Sequence, residues 1–410
     1  MEYDTMPEHE TSTSPSLSDY STRRFSGEIP LDEVMTDAAM RAIGHRGWDS
    51  LRIEHLAQET GLAVETFKKR FASRDELGLA LWSGPVGRNL MTDLSGIGLD
   101  VADNEEALAA RLLEFARATD ERSCSLEMVL ASFFDSTLES IREETSACVN
   151  SAIERSRESG GSARAAATGA ALGLALGLML VSKRPWATDL DLTLGIRHYA
   201  HALTRPGLDS QIPMVRAEFL HLSTIQSGDA RLDAVLAAAA WEVGDRGFTM
   251  ATIPRICRRA GVSEDFVYGQ FPEKFELVRT LTEAQLPVGF DALATFIRDI
   301  ANRHGRDVAE AVAWREIMDP NLSTKRSFAV EINRLASNDE SVREVLIAGE
   351  RRVLNDYVTA ARAEKAEATA RFHIDLALGF GFYLLPNLVP SVASLPFIAV
   401  TPGILAEPQR

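Results

Sequence analysis

Cysteine is scarce, and the three present, Cys124, Cys148 and Cys257, are too few and too scattered for a disulfide framework or a zinc site. A reducing compartment, the cytoplasm, is expected. An excess of positive charge is also missing. The formal net charge is -16, so the averaged field repels phosphate and excludes a protein that coats nucleic acid or anionic membrane without selectivity. Any nucleic-acid contact must be local. The N-terminus lacks a basic region followed by an apolar run and opens instead on a Ser/Thr/Glu/Pro-rich stretch from Met1 to about Gly27, so no secretion signal is expected. No Ser/His/Asp set, Gly-rich phosphate loop or paired-carboxylate spacing stands out, and neither an enzyme nor a cofactor is expected. Long apolar runs are nearly absent. The exception, Ala165 to Ser182, is free of charge and just long enough to span a membrane. It is rich in Ala and Gly, however, and its counterpart from Leu376 to Val400 contains Pro386, Pro390 and Pro396, so a buried interface helix is expected and no membrane partner.

With 410 residues, 45% hydrophobic and 25% charged, the chain has the composition of a globular protein and the length for more than one core. A repeat gives the division. Gly44, Arg46, Gly47, Ile53, Gly61, Phe71, Glu76 and Leu77 recur without a gap as Gly244, Arg246, Gly247, Ile253, Gly261, Phe271, Glu276 and Leu277, each 200 residues on. A weaker echo relates Leu174, Leu176 and Gly177 to Leu376, Leu378 and Gly379. A period this long excludes a solenoid and implies a duplicated unit.

Each unit opens on helical periodicity. Leu31, Val34, Met35, Ala38 and Ala42 fall on one helix face, as do Leu232, Val235, Leu236, Ala239 and Val243. Shorter apolar faces follow, with Ile53, Leu56 and Ala57 in the first copy and Ile253, Ile256 and Cys257 in the second. Gly61 and Gly261 then supply a turn that a Cβ resists, ahead of third helices with Phe67 and Phe71, or Val267 and Phe271, turned inward. Two short helices about a glycine turn make a helix-turn-helix.

The second copy, "RGFTMATIPRICRRAGVSEDFVYGQFPEKFEL", resembles the TetR family of transcriptional regulators in its Gly-Phe pair, its Gly261-Val262-Ser263 turn, and Tyr268, Phe271, Lys274 and Leu277. The first, "RGWDSLRIEHLAQETGLAVETFKKRFASRDEL", departs from the pattern at Ala63, Lys68 and Arg74. The resemblance implies an all-α protein of two units, each a three-helix DNA-binding head followed by a helical ligand-binding and dimerisation domain. It implies a ligand-responsive regulator, most often a repressor in this family, whose partners are a double-stranded DNA operator and a small apolar ligand. A tail over 1–27, heads at 28–77 and 231–277, helical domains at 78–203 and 278–405, and a linker at 204–230 are the expected divisions. A module that binds a ligand or protein, with one or both helix-turn-helix units degenerate, is the alternative.

Expected DNA contacts are Thr66, Lys68, Lys69, Arg70 and Arg74 in the first unit, the chain's clearest basic cluster, and Thr252, Arg255, Tyr268, Gln270 and Lys274 in the second. Arg23 and Arg24 stand where a basic arm would reach a minor groove. Ser263 suits the N-cap of its helix and Thr252 that of the helix before, whereas Ala63 cannot cap. Glu264 and Asp265 open the second recognition helix with charge unfavourable to phosphate. Trp82, Phe115, Met128, Phe133, Trp314 and Met318 are the pocket candidates. His198 and His201 lack a third ligand, so no metal is expected, and Cys257 reads as a buried, inert thiol. The glycine stripe Gly169, Gly173 and Gly177 is expected to receive bulky Phe380, Phe382 and Tyr383 from the other unit, giving intrachain pairing of the units in place of a homodimer of tandem chains.

Overall fold

The computed structural model describes residues 31–182, 184, 190–217, 227–360 and 364–406, and among these there is no strand. The N-terminal tail, with Arg23 and Arg24, lies outside the described residues. In the first unit α1 (Leu31–Arg46), α2 (Ile53–Thr60) and α3 (Val64–Arg70) form the head, followed by α4 (Arg74–Leu81), α5 (Gly87–Asp103), α6 (Glu105–Phe115), α7 (Asp120–Ala131), α8 (Glu139–Val181) and α9 (Thr193–Thr204). The second unit repeats the order as α10 (Ala230–Met250), α11 (Ile253–Ala260), α12 (Glu264–Gln270), α13 (Lys274–His304), α14 (Arg306–Ile317), α15 (Ser323–Asn338), α16 (Glu340–Ala360) and α17 (Lys365–Leu388), and ends on α18 (Thr401–Leu405).

The copies differ where their residues demand it. Gly84 leaves helical geometry and Pro85 removes an N–H, so a widened turn separates α4 from α5 where the second unit has the single helix α13. α8 bends at Gly160 and Gly161, the latter at φ 73°, in the place where α16 gives way to α17. Trp48 is fully buried against Gly78, whose Cβ would fall 2.5 Å from the indole; the second unit holds Phe248 and Val278 at these positions, a smaller ring beside a larger neighbour. On α1 the expected inward face is buried except Leu31, which is 44% exposed because it begins the helix.

The largest core spans both units, while the second head has a core of its own. Trp314, Met318, Ala377, Phe382 and Leu385 of the second unit belong to the same buried cluster as the apolar half of α8. The segment Ser136–Val181 is long and apolar enough to cross a membrane, and 94% of its most apolar window is buried inside the protein. Of the stripe glycines, Gly169 lies against large side chains, Leu395, Val392 and Phe397, but Gly173 and Gly177 do not receive Phe380, Phe382 or Tyr383. There small residues meet small ones: a Cβ at Gly177 would lie 1.7 Å from the Ala377 carbonyl oxygen, and one at Gly381 would lie 2.0 Å from that of Gly173. Gly379, the expected counterpart of Gly177, faces open space, while Phe382 packs against Trp314 in a tilted contact and against Phe397 edge to face, at 4.8 and 4.9 Å between ring centroids. Backbones approach most closely where the facing residues are glycine and alanine, which leaves the rings on the flanks.

Gly177 and Ala377 lie 200 residues apart, the spacing of the repeat, so the two helices cross close to the axis that relates the units. A second such contact joins the heads, where the Thr249 hydroxyl donates to Asp49 Oδ2 at 2.8 Å. Beside it, Arg334 of α15 is buried and reaches Asp49, Glu127 and Glu331, each at 2.7 Å. Those glutamates also accept backbone N–H groups at equivalent places in the two heads, Trp48 N–H to Glu127 at 2.8 Å and Phe248 N–H to Glu331 at 2.7 Å. The described part of the connecting segment lies along α14, where Arg315 donates to the Pro213 and Val215 carbonyls and Glu316 accepts the Ala217 N–H.

Candidate nucleic-acid interface

Each head presents its third helix through the same device. Gly61 and Gly261 close α2 and α11 in the left-handed conformation, at φ 66° and 69°, which turns the chain sharply into α3 and α12. Phe67 and Phe71, or Val267 and Phe271, pin those helices to the head, so the opposite faces look outward. Ser263 Oγ accepts the Phe266 N–H at 3.3 Å; Ala63 makes no such bond. Thr252 occupies the N-cap of α11 without a side-chain bond, and its carbonyl takes the N–H groups of Arg255 and Ile256.

In the first head Lys68, Lys69 and Arg70 are exposed on α3, with Thr66 half-buried beside them. Lys68 Nζ lies 3.6 Å from Glu54, and Arg70 forms a two-pronged pair with Asp32 at 2.7 Å. Hydrogen bonding to Arg70 holds the Asp32 carboxyl below its usual range. Arg74 turns elsewhere. Its guanidinium lies 4.6 Å from the Trp48 ring centroid, 3.2 Å from Asp75 and 3.4 Å from Asp135.

The second head repeats that arrangement with Lys274, whose Nζ donates to the Phe248 carbonyl at 2.6 Å and the Ala251 carbonyl at 2.8 Å. Burial draws its pKa down. Arg74 and Lys274 therefore brace the turn between first and second helices, whereas Tyr268 and Gln270 stand exposed on α12. Arg255 is half-buried with Nη1 unpartnered, Arg258 is exposed, and Arg259 stacks on Trp241 at 3.2 Å while pairing with Glu242 at 2.9 Å. Glu264 and Asp265 are exposed at the start of α12. The first head thus presents a compact cationic patch and the second a mixed one.

The expected pocket residues separate. Phe133 and Met318 line a cavity of about 320 Å³ between the units, and Trp82, Phe115, Met128 and Trp314 are packed into the core. A larger cleft of about 690 Å³ between α13 and α16 is lined largely by charge, with Glu276, Arg279, Glu283, Glu344 and Arg352. Neither cavity includes those four core residues. His198 bonds to the Ile404 carbonyl at 3.0 Å and His201 to Glu105 at 3.0 Å, so the two imidazoles engage different partners. Cys257 is buried, and burial pushes its thiol pKa up. Arg326 and Arg334, both buried in α15, were not singled out by the sequence. Nothing in the sequence sets them apart from the other polar residues of this helix, STKRSFAVEINRLASN.

The family model for bacterial regulatory proteins of the tetR family matches residues 35–81 and again 235–281, the two heads described above. Among curated proteins none matches the chain.

Proposed function

Because the chain belongs to the tetR family and carries the family's DNA-binding domain twice, it is a DNA-binding transcriptional regulator, and we propose that a single chain acts as the functional dimer. The contacts between positions 200 apart, Gly177 with Ala377 and Asp49 with Thr249, carry this reading. They arrange two heads about one axis, as paired half-sites require. Residues 28–203 and 231–405 are the two units of that dimer.

On this reading Lys68, Lys69 and Arg70 anchor α3 on the phosphates of a double-stranded operator, with Thr66 at the groove; Thr252, Arg255, Tyr268 and Gln270 serve α12. Arg74 and Lys274 act from behind, fixing the turns that aim the two helices. The unlike outward faces, "VETFKKRF" and "EDFVYGQF", call for an operator with two different half-sites. The protein represses by occupying that operator and leaves it when a small apolar ligand binds. Selection from random DNA with the full chain tests the pairing. An asymmetric site with half-sites about one helical turn, or a multiple, apart is the expected product; a perfect palindrome would mean that like heads from two chains bind together.

A further inference from the structure

The 320 Å³ cavity between the units combines two kinds of wall. Phe133, Phe134, Met318 and Pro386 make part of it apolar, and Arg326, Ser323 and Ser327 of α15, with Asn387 and Asp245, supply its polar groups. Arg326 is 3% exposed. Among the described residues its hydrogen bonds come from Nη1 alone, to the carbonyls of Ile317 at 3.2 Å and Asp319 at 2.5 Å, where α14 ends. The helix terminus offsets part of the charge. No carboxylate lies within ion-pair reach among the described residues, and Nε is buried without a partner. Nearby acids are committed elsewhere: Asp319 Oδ1 accepts two bonds from Asn321, and Asp245 lies 3.4 Å from Arg246. Burial draws the Arg326 pKa down to about 10, the mark of a cation short of counter-charge. In the register that matches Glu127 to Glu331 the first unit has Arg122 at this place, and Arg122 reaches an acid, Asp93 at 3.1 Å, that Arg326 lacks among the described residues.

We infer that this cavity binds a small amphipathic carboxylate, its head gripped by the open Nε–Nη2 edge of Arg326 and its apolar body laid against Phe133, Phe134 and Met318. That edge is planar and presents two parallel donors, the geometry a carboxylate matches. The volume sits at the low end for ligand cavities, roughly 300–1,000 Å³, so the ligand is small. The inference deepens the ligand-responsive reading and rests on it for its regulatory meaning. Gly244 and Asp245, which also line the cavity, belong to α10, the first helix of the second head. α10 has no slack there: a Cβ at Gly244 would fall 2.2 Å from the Thr324 carbonyl oxygen. An occupant that spreads the wall therefore moves the second head against the first unit, which contributes Phe133 and Phe134.

Calorimetry on the full chain without DNA tests the site, with octanoate and its neutral analogue octanamide as probes. Octanoate is expected to bind once per chain and more tightly than octanamide. Arg326→Gln should weaken octanoate at least tenfold and leave octanamide unchanged. Equal affinity for the two probes, or no octanoate binding at millimolar concentration, overturns the inference. So does unaltered octanoate affinity in a folded Arg326→Gln. Should that variant fail to fold, Ser323→Trp, placed on an exposed residue at the cavity mouth, keeps the test: it should weaken octanoate, and unchanged affinity overturns the location. A DNA footprint of the probe-free chain is read separately, so loss of DNA binding would strike the regulator reading and leave the carboxylate site standing.

Discussion

Two of the three cations that end α3 already face an acid in the free protein, Glu54 for Lys68 and Asp32 for Arg70. Exposed pairs of this sort are weak and screened by salt, so a phosphate displaces them readily. Replacing Lys68, Lys69 and Arg70 together with alanine should therefore weaken operator binding severely. The log-log dependence on salt should also flatten, by about 0.9 for each phosphate left without its cation. Anisotropy titrations over a salt series measure both, and an unchanged slope in the folded triple variant would remove α3 from the interface. Buried titratable groups set a different expectation. Burial, with the Asp375 carboxylate nearby, raises the Glu310 pKa from 4.5 to about 7, while Asp375 is itself held between the hydroxyls of Tyr199 and Tyr357. The native state thus binds more protons than the unfolded one between these values, and its stability falls as pH rises through about 7. His373 works at the other end. Burial lowers it from 6.5 to about 4, so stability is lost as pH falls below 6.5. Glu310→Gln should keep the acid-side loss and flatten the fall in Tm between about pH 5 and 8; an identical alkaline profile for both proteins would clear Glu310 of that role.

The elements legible in the sequence are those whose rule is local. Glycine turns at Gly61 and Gly261, the Ser263 cap, and the inward Phe67, Phe71, Val267 and Phe271 all follow from neighbours a few residues away. The pairing of α8 with α17 follows from no neighbour. The glycine stripe is visible in the sequence, but its partner face depends on the position of the two-fold axis, which fixes that Gly177 meets Ala377 and that Gly173 meets Gly381. Arg326 and Arg334 were illegible for the same reason, since a charge within an amphipathic helix declares itself only when a second element covers it. The element contact makes a paired prediction. Gly177→Leu places atoms where the Ala377 carbonyl oxygen already stands, so the helices must part, at a cost of about 1–3 kcal/mol or more. Gly379→Ala enters open space and should stabilise by roughly 0.5–1 kcal/mol through helix propensity. Urea unfolding of the two variants checks both signs, and equal losses would mean that α8 and α17 are not held this closely.

At the scale of the whole molecule, the two units are joined by an apolar contact at one end of the axis and by a buried charge cluster at the other. Arg334 stands at the second, in contact with its own unit through Glu331 and with the opposite unit through Glu127 and Asp49. One guanidinium thus links both heads to α15. Burial raises the pKa of Glu127, whose charge depends on Arg334, so removing the arginine leaves carboxylates without compensation. Breaking a buried pair from one side typically costs about 3–5 kcal/mol, and Arg334→Met should lose stability on that order. The same arginine ties assembly to the spacing of the heads. With the apolar face of α8 covered by α17 of its own chain, that face is not open to a second copy, and tethering gives the intrachain pair an effective concentration that can reach the millimolar range. The full chain should therefore scatter light as a 44.9 kDa monomer at micromolar concentration. It should also tolerate little change in the distance between its half-sites. Arg334→Met, if it folds, should remain monomeric through the α8–α17 contact yet accept operators lengthened by one or two base pairs that the parent chain rejects. A stable species of twice the chain mass would instead place the units of two chains together, and equal spacing tolerance in the two proteins would free the heads from Arg334.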